Sequence, residues 1–266
     1  MWSRKTVDPL GQLLFEKYGM HVLGRPREDV SVLQVFAFRD EAMFRSGSLD
    51  AFLRTRVQKP EVGEHEAQLD IDATMSGAVS ARIAFSFLKG FLSFIGVGAV
   101  NTVSASFENS KSEALRFRFG GCTRDYVKDG FDLDWKLSEV AFDKEKSSMK
   151  EGERYYIATG VHFCNALTFE LLDKNSNTVD VEADVVLLGR GKSGLSVGKD
   201  QQITAESDKT LAYGVELNEL VYDEKRRRLQ LQESKGYVHV LAGVAVDMPR
   251  AMIGGPDDTM MLPVVD

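Results

Sequence analysis

The chain has 266 residues, 43% of them hydrophobic and 27% charged, with a formal net charge of −7. That length and composition fit one large domain or two small ones built on a real core. The acidic balance argues against a general nucleic-acid binder, which needs a basic face.

The opening stretch, MWSRKTVDPLGQLLFEKYG, holds no apolar run of the kind a secretory signal needs, so cytoplasmic synthesis is expected. Val7 to Tyr18 predicts a helix: Asp8 can cap it, Pro9 suits its first turn, and Gly19 ends it. MHVLG predicts a short strand, RPRED a turn, and SVLQVFAF a strand. SGSLDAFLR marks a helix start at Ser48 with Asp50 in the first turn, and residues 58–66 form a polar connector.

Strict alternation follows. Ala67, Leu69, Ile71, Ala73 and Met75 are apolar, while Gln68, Asp70, Asp72, Thr74 and Ser76 are polar. The next stretch, ARIAFSFLKGFLSFIGVGAV (81–100), has the length of a membrane helix, but Arg82 and Lys89 interrupt it. It fits a helix with Arg82, Ser86, Lys89 and Ser93 on one stripe. It also fits a strand with Ile83, Phe85 and Phe87 on one face, and both readings stay open. A helix packed on a sheet is the plainer expectation. A further alternating run, NTVSASFEN, sets Val103, Ala105 and Phe107 against polar neighbours.

Residues 111–142 mix strand and helix signals, and 143–154 form a charged loop. From 157 to 171, Ile157, Val161, Phe163, Leu167, Phe169 and Leu171 share a parity that Thr159 and Asn165 break. DKNSN is a turn. NTVDVEADVVL then sets Val179, Val181, Ala183, Val185 and Leu187 against Asp180, Glu182 and Asp184. Residues 155–188 therefore predict a hairpin with two long arms. GRGKSG lacks a phosphate-loop opening, because Val186 stands where that pattern needs glycine. QQITAESDKTLAYGVELNELVYD predicts a strand pair turning at Ser207–Asp208, and KRRR (225–228) closes the body. The last stretch, GYVHVLAGVAVDMPRAMIGGPDDTMMLPVVD, is an apolar tail.

The two cysteines, Cys122 and Cys164, show no metal-ligand spacing, and the four histidines are scattered. These features argue against zinc and a disulfide scaffold, and suit a reducing compartment. No catalytic motif and no cofactor site is marked. Ordinary strands run about 5–6 residues, whereas a membrane-crossing strand needs about 9–11 with one face toward lipid. The long alternating hairpins 66–108 and 155–188 meet that requirement. A soluble β-rich protein holding a small apolar ligand is the alternative.

VDPLGQLLFEKYGMHVLGRPREDVSVLQV and SDKTLAYGVELNEL, with two hairpins between them, resemble the pore-forming domain of the gasdermins, the short bacterial type in particular. The resemblance implies an α+β fold with a twisted, mainly antiparallel central sheet flanked by helices. It implies a non-enzymatic pore-forming domain over 1–235 and an autoinhibitory tail over 236–266. A caspase-like or trypsin-like protease would remove the tail, with Leu241, Asp247 and Arg250 as candidate cleavage positions. The body would then leave the cytoplasm, assemble into a large ring and cross the inner membrane, killing the cell in anti-phage defence. Lipid would be the partner after activation, with no cofactor and no nucleic acid.

On this reading Leu69, Ile71, Ala73, Ile83, Phe85, Phe87, Val103, Phe107, Phe163, Phe169, Val179, Val181 and Val185 face lipid. Asp70, Asp72, Asp180, Glu182 and Asp184 face the lumen. Arg54, Arg56, Lys225, Arg226, Arg227 and Arg228 meet headgroups. Bacterial members often carry a lipidated cysteine next to the N-terminus; Ser3 follows Trp2 here, so no thioester lipid is expected.

Overall fold

The computed structural model describes residues 9–39, 42–77, 113–140, 142, 147–173, 175, 178, 194–197, 202–233 and 260–261. The choice between helix and strand at 81–100, the run around Val103 and most of the second arm, 179–188, lie outside these residues.

Three described helices form where the local chemistry favours them. Helix α1 spans Pro9–Tyr18. Proline suits the first turn, where its missing N–H would have no partner. The helix stops at Gly19, which takes φ +66 and donates its N–H to the Phe15 carbonyl at 2.8 Å. Helix α2, Leu49–Leu53, starts as expected at Ser48, whose hydroxyl accepts the Ala51 N–H. Helix α3, Gly130–Glu139, is capped by Asp129, whose carboxylate accepts the N–H groups of Phe131 and Asp132.

The strands form one mainly antiparallel, curled sheet, and with few helices the fold is α+β. They are β1 (His21–Arg27), β2 (Gln34–Arg39), β3 (Ala42–Ser48), β4 (Val62–Ala67), β5 (Ile71–Ser76) and β6 (Ala114–Gly120). After β7 (Thr123–Val127) and β8 (Arg154–Leu172) come β9 (Gly194–Val197), β10 (Ile203–Asp223), β11 (Arg228–Glu233) and β12 (Met260–Met261). The long strands β8 and β10 pair from Tyr156↔Glu219 to Phe169↔Ile203 and make the spine. At one end, β2, α2 and α3 gather around Tyr155, Ile157, Leu220 and Leu229. At the other, β5 and β6 continue the sheet beside Leu167–Leu172.

Buried side chains form three clusters on these strands. One packs α1 on the β5–β6–β8–β10 face. A second joins α2, α3 and the far ends of β8, β10 and β11. The third, with Leu23, Phe36, Met43, Tyr156, Val161 and Val215, lies between the strands that curl around it.

Three expectations are corrected. RPRED is not wholly a turn: β1 runs on through Arg27 because it pairs with β10 as far as Ala212. The run from Ala67 is not one strand. It breaks at Gln68–Asp70, and β4 pairs with β7 while β5 pairs with β6. Leu69 therefore sits in a link, 92% exposed, off the apolar face of Ile71 and Ala73. Ser207–Asp208 is no hairpin turn. β10 passes through it as a bulge, with Glu206 opposite Ala166 and Leu211 opposite Cys164, because β8 continues unbroken beside it.

Candidate membrane-insertion site

The site starts from alternation in three neighbouring strands. In β5, Ile71, Ala73 and Met75 are buried while Asp72, Thr74 and Ser76 are exposed. In β6, Leu115, Phe117 and Phe119 are buried while Arg116 and Arg118 are exposed. Leu167, Phe169 and Leu171 of β8 are buried level with them, because Phe119, Phe117 and Leu115 are their register partners. A continuous apolar face results, and Ile203 and Ala205 of β10 extend it.

The first predicted hairpin leaves the sheet at the end where the second one turns, in neighbouring register. Ser76 pairs with Ala114, Ala114 with Leu172, and Leu172 bridges Thr178. Residues 78–112 thus connect the ends of β5 and β6 at this end of the sheet, and beside them the antiparallel bridge from Leu172 to Thr178 brings the chain back after β8. Ile83, Phe85, Phe87, Val103, Phe107, Val179, Val181 and Val185, with Asp180, Glu182 and Asp184, lie outside the described residues.

Helix α1 covers the apolar face. Leu10 and Leu14, one turn apart, are buried in the same cluster as Phe117, Phe119 and Phe169. His21, just beyond the helix, lies tilted against Phe15 with ring centroids 4.9 Å apart and has no partner on either ring nitrogen among the described residues. Burial holds its pKa down at about 4, so it is a neutral, apolar-behaving ring at pH 7. Tyr213 stacks on Phe119 at 4.5 Å. Burial raises the thiols of Cys122 and Cys164, so neither is an available nucleophile.

The opposite face is wet and carries both signs of charge. Asp72 faces Arg118 and Arg116 faces Glu170 across strands. Arg118 donates to Asp70 at 2.6 Å and Arg116 to Glu170 at 3.5 Å; Gln202 also donates to Glu170. Thr168 and Thr204 bond at 3.1 Å. Asp70 and Asp72 thus share their face with two arginines that the sequence reading left out. RFRFG, with the same two-residue period, was the signal.

Where the apolar face gives way to the curled body, a polar node ties β7, β8 and β10. His162 Nε2 meets Glu216 Oε1 at 2.9 Å, and its Nδ1 meets the Gln68 Oε1 at 2.9 Å. Arg124 donates to the other Glu216 oxygen. Burial pushes the Glu216 carboxyl up, but the hydrogen bonds and charges of His162 and Arg124 outweigh it and hold the group below its ordinary value. Gly160 makes room: a Cβ there would stand 2.7 Å from Glu216 Cδ.

The remaining predicted residues separate. Phe169 lies on the apolar face, whereas Phe163 packs inside the curl with Tyr156 and Val161. Arg54 and Arg56 are exposed after α2, and Lys225–Arg228 are exposed around the β10–β11 turn. They flank α3: Lys136 reaches the Lys59 carbonyl at 3.2 Å, and Arg226–Arg228 line a cleft with Ser138 and Val140. This end stands about 50 Å of strand from the hairpin exits, at about 3.3 Å per residue from Tyr156 to Leu172. Leu241, Asp247, Arg250 and Ser3 lie outside the described residues.

Comparison with known proteins decides the family. The model of the Bacterial Gasdermin Family matches residues 23–233. The chain belongs to the bacterial gasdermin family. It is 24% identical over 234 residues to a gasdermin from a Desulfuromonadales bacterium, covering 85% of each chain. Its fold matches that of a bacterial gasdermin from Bradyrhizobium tropiciagri with a TM-score of 0.65 at 14% identity, over 84% of this chain and 91% of that one. Gasdermins are pore-forming, non-enzymatic proteins that target membranes once activated. No helix among the described residues of this gasdermin is long and apolar enough to span a bilayer.

Proposed function

We propose that this gasdermin is a pore-former held inactive by its tail, residues 236–266, and activated when a caspase-like or trypsin-like protease removes it. The observation that carries the reading is the meeting of both hairpins at one end of the sheet, beside Ser76, Ala114 and Leu172. Extending β5, β6, β8 and β10 in register through that end adds contiguous strands whose open edges can join copies into a closed barrel. In hydrocarbon every backbone N–H and C=O must pair, so a barrel is required.

In the inactive state the apolar face needs a cover against water, at about 25 cal/mol per Å². α1 is that cover at the strand roots. The tail adds a second hold, because β12 bonds to β1 and β3. Beyond the roots, Ile83, Phe85, Phe87, Val103, Phe107, Val179, Val181 and Val185 meet lipid, and Asp180, Glu182 and Asp184 meet the lumen. Arg54, Arg56 and Lys225–Arg228 stand far from the exits. Their contact with headgroups belongs to the stage when the body lies along the bilayer, worth about 1 kcal/mol per residue. In the cell the protein waits in the cytoplasm, then permeabilises the inner membrane and kills the cell in anti-phage defence.

The test is dye release from anionic liposomes by the full chain carrying an engineered protease site within 241–250. Release that starts on cleavage supports the reading. Equal release before and after cleavage, or none in either state, contradicts it.

A further inference from the structure

Helix α3 is apolar on two sides. Leu133 and Leu137 face the core and are fully buried. Asp134 accepts the Leu231 N–H at 2.7 Å and ties the helix to β11. Phe131 and Trp135, four residues apart, share the outward stripe and stand 88% and 65% exposed. Among the described residues, the other exposed large apolar side chains are Tyr18 and Leu69, and neither lies on α3. A single exposed ring is ordinary; two rings on one helical stripe call for a partner.

The stripe leads into positive charge. Ser138, one turn beyond Trp135, donates its hydroxyl to the Trp135 carbonyl at 2.7 Å and lines a cleft with Glu139, Arg226, Arg227 and Arg228. Of these arginines only Arg226 reaches a carboxylate among the described residues, Asp223 at 3.8 Å. The lysines nearby are already matched: Lys136 pairs with Asp132 at 2.6 Å and Lys128 with Glu61 at 2.7 Å. Two rings offer about 150–250 Å² each, well short of the roughly 800 Å² per side of a stable protein interface. A bilayer asks for no such matched area. Its interface takes aromatic rings at headgroup level, and its phosphates take guanidinium groups.

We propose that the Phe131–Trp135 stripe of α3 and the Arg226–Arg228 cleft form one docking surface for an anionic bilayer, used before any strand is inserted. The proposal rests on the pore-forming reading and specifies its first contact with lipid: the arginines attract, and the rings seat in the interface. α3 lies at the opposite end of the β8–β10 spine from the meeting of the hairpins. A bilayer that touches α3 can therefore hold the body along its surface, with the hairpin end also within reach of lipid. Two rings and three guanidinium groups make a small contact. The uncut protein exchanges between cytoplasm and membrane, and the body can rise from the surface when its strands extend.

The chain has two tryptophans, so the full chain with Trp2→Phe reports on Trp135 alone. Uncut, it is mixed with vesicles of phosphatidylglycerol and phosphatidylcholine, one set brominated on the upper acyl carbons. Trp135 emission should shift to the blue and be quenched by the brominated lipid. Phe131→Ser should weaken vesicle binding about tenfold. Arg227→Gln with Arg228→Gln should weaken it about twentyfold, on anionic vesicles alone. Flotation of the otherwise unaltered chain beside its Phe131→Ser, Trp135→Ser double variant tests the same surface without touching Trp2, and the double variant should bind at least about tenfold more weakly. All these variants should keep the parent's urea midpoint, because the side chains face solvent. Emission and flotation unchanged by vesicles and by the variants, with dye still released after tail cleavage, overturn the docking surface and leave the pore reading standing. Emission that follows protein concentration and ignores brominated lipid assigns the stripe to a second copy and also overturns it. Quenching by brominated lipid with no dye release after cleavage upholds the surface and removes the pore reading.

Discussion

Helix α1 spans ten residues, too short to hold in water by itself, where roughly 12–15 are marginal. Packing must keep it on the strand roots, and Leu14 is its fully buried contact with that face. Leu14→Ala removes the buried side chain beyond Cβ and leaves a cavity among aromatic neighbours, costing about 3–5 kcal/mol. With a urea slope of about 3 kcal/mol per molar, the unfolding midpoint should fall by roughly 1 M or more. If α1 lifts before the strands extend, the same loss lowers the barrier to insertion. Dye release after tail cleavage should then quicken by up to about a hundredfold for 3 kcal/mol. Lys17→Ala, at an exposed position on the same helix, should change stability by less than about 0.5 kcal/mol and leave the rate alone. A Leu14→Ala protein that unfolds earlier but releases dye at the wild-type rate would refute the covering role of α1.

Glu216→Gln should lower stability at pH 7 by about 1–3 kcal/mol, because Arg124 and His162 lose a charged acceptor. The folded-state pKa of Glu216 lies below its unfolded value, so its contribution is present above the unfolded carboxylate range and lost as pH falls through the folded value. Urea midpoints of the two proteins should therefore converge in acid; a gap that stays constant as the carboxylate titrates would contradict the assignment. Ile71→Arg buries a charge at a position 3% exposed and should prevent recovery of folded protein, while Thr74→Glu, on the wet face opposite Arg116, should be tolerated within about 0.5 kcal/mol. Circular dichroism and yield separate them, and equal recovery would overturn the assignment of faces. Gly160→Ala forces a methyl against Glu216 and should cost about 1–3 kcal/mol in a denaturant titration. A neutral result would show that the node yields freely.

Local chemistry carried the caps and the alternation. Ser48 and Gly19 announce their helix ends through side-chain and backbone geometry that needs no distant partner. The parity breaks at Thr159 and Asn165 proved meaningful: each falls where the β8–β10 register skips a residue, between Ala158 and Gly160 and between Cys164 and Ala166. Those skips turn Phe163 into the curl and Phe169 onto the root face, which no count of odd positions reveals. The break at Leu69 was hidden for a related reason. Alternation persists from Ala67 to Met75, but β4 and β5 change partners there, and partners are a long-range property. The same holds for β12: the sequence shows apolar residues in the tail, while only the topology shows that two of them complete a ring of strands. The node of Arg124, His162 and Glu216 joins residues 92 positions apart and left no local mark.

The most direct measurement is electron microscopy of the full chain on anionic bilayers, imaged before and after its tail is cut in place. Uncut protein should stay dispersed, and cut protein should form closed rings that perforate the lipid. Cut protein that remains scattered as single bodies beside intact bilayers would contradict the claim that these strands extend together into a barrel.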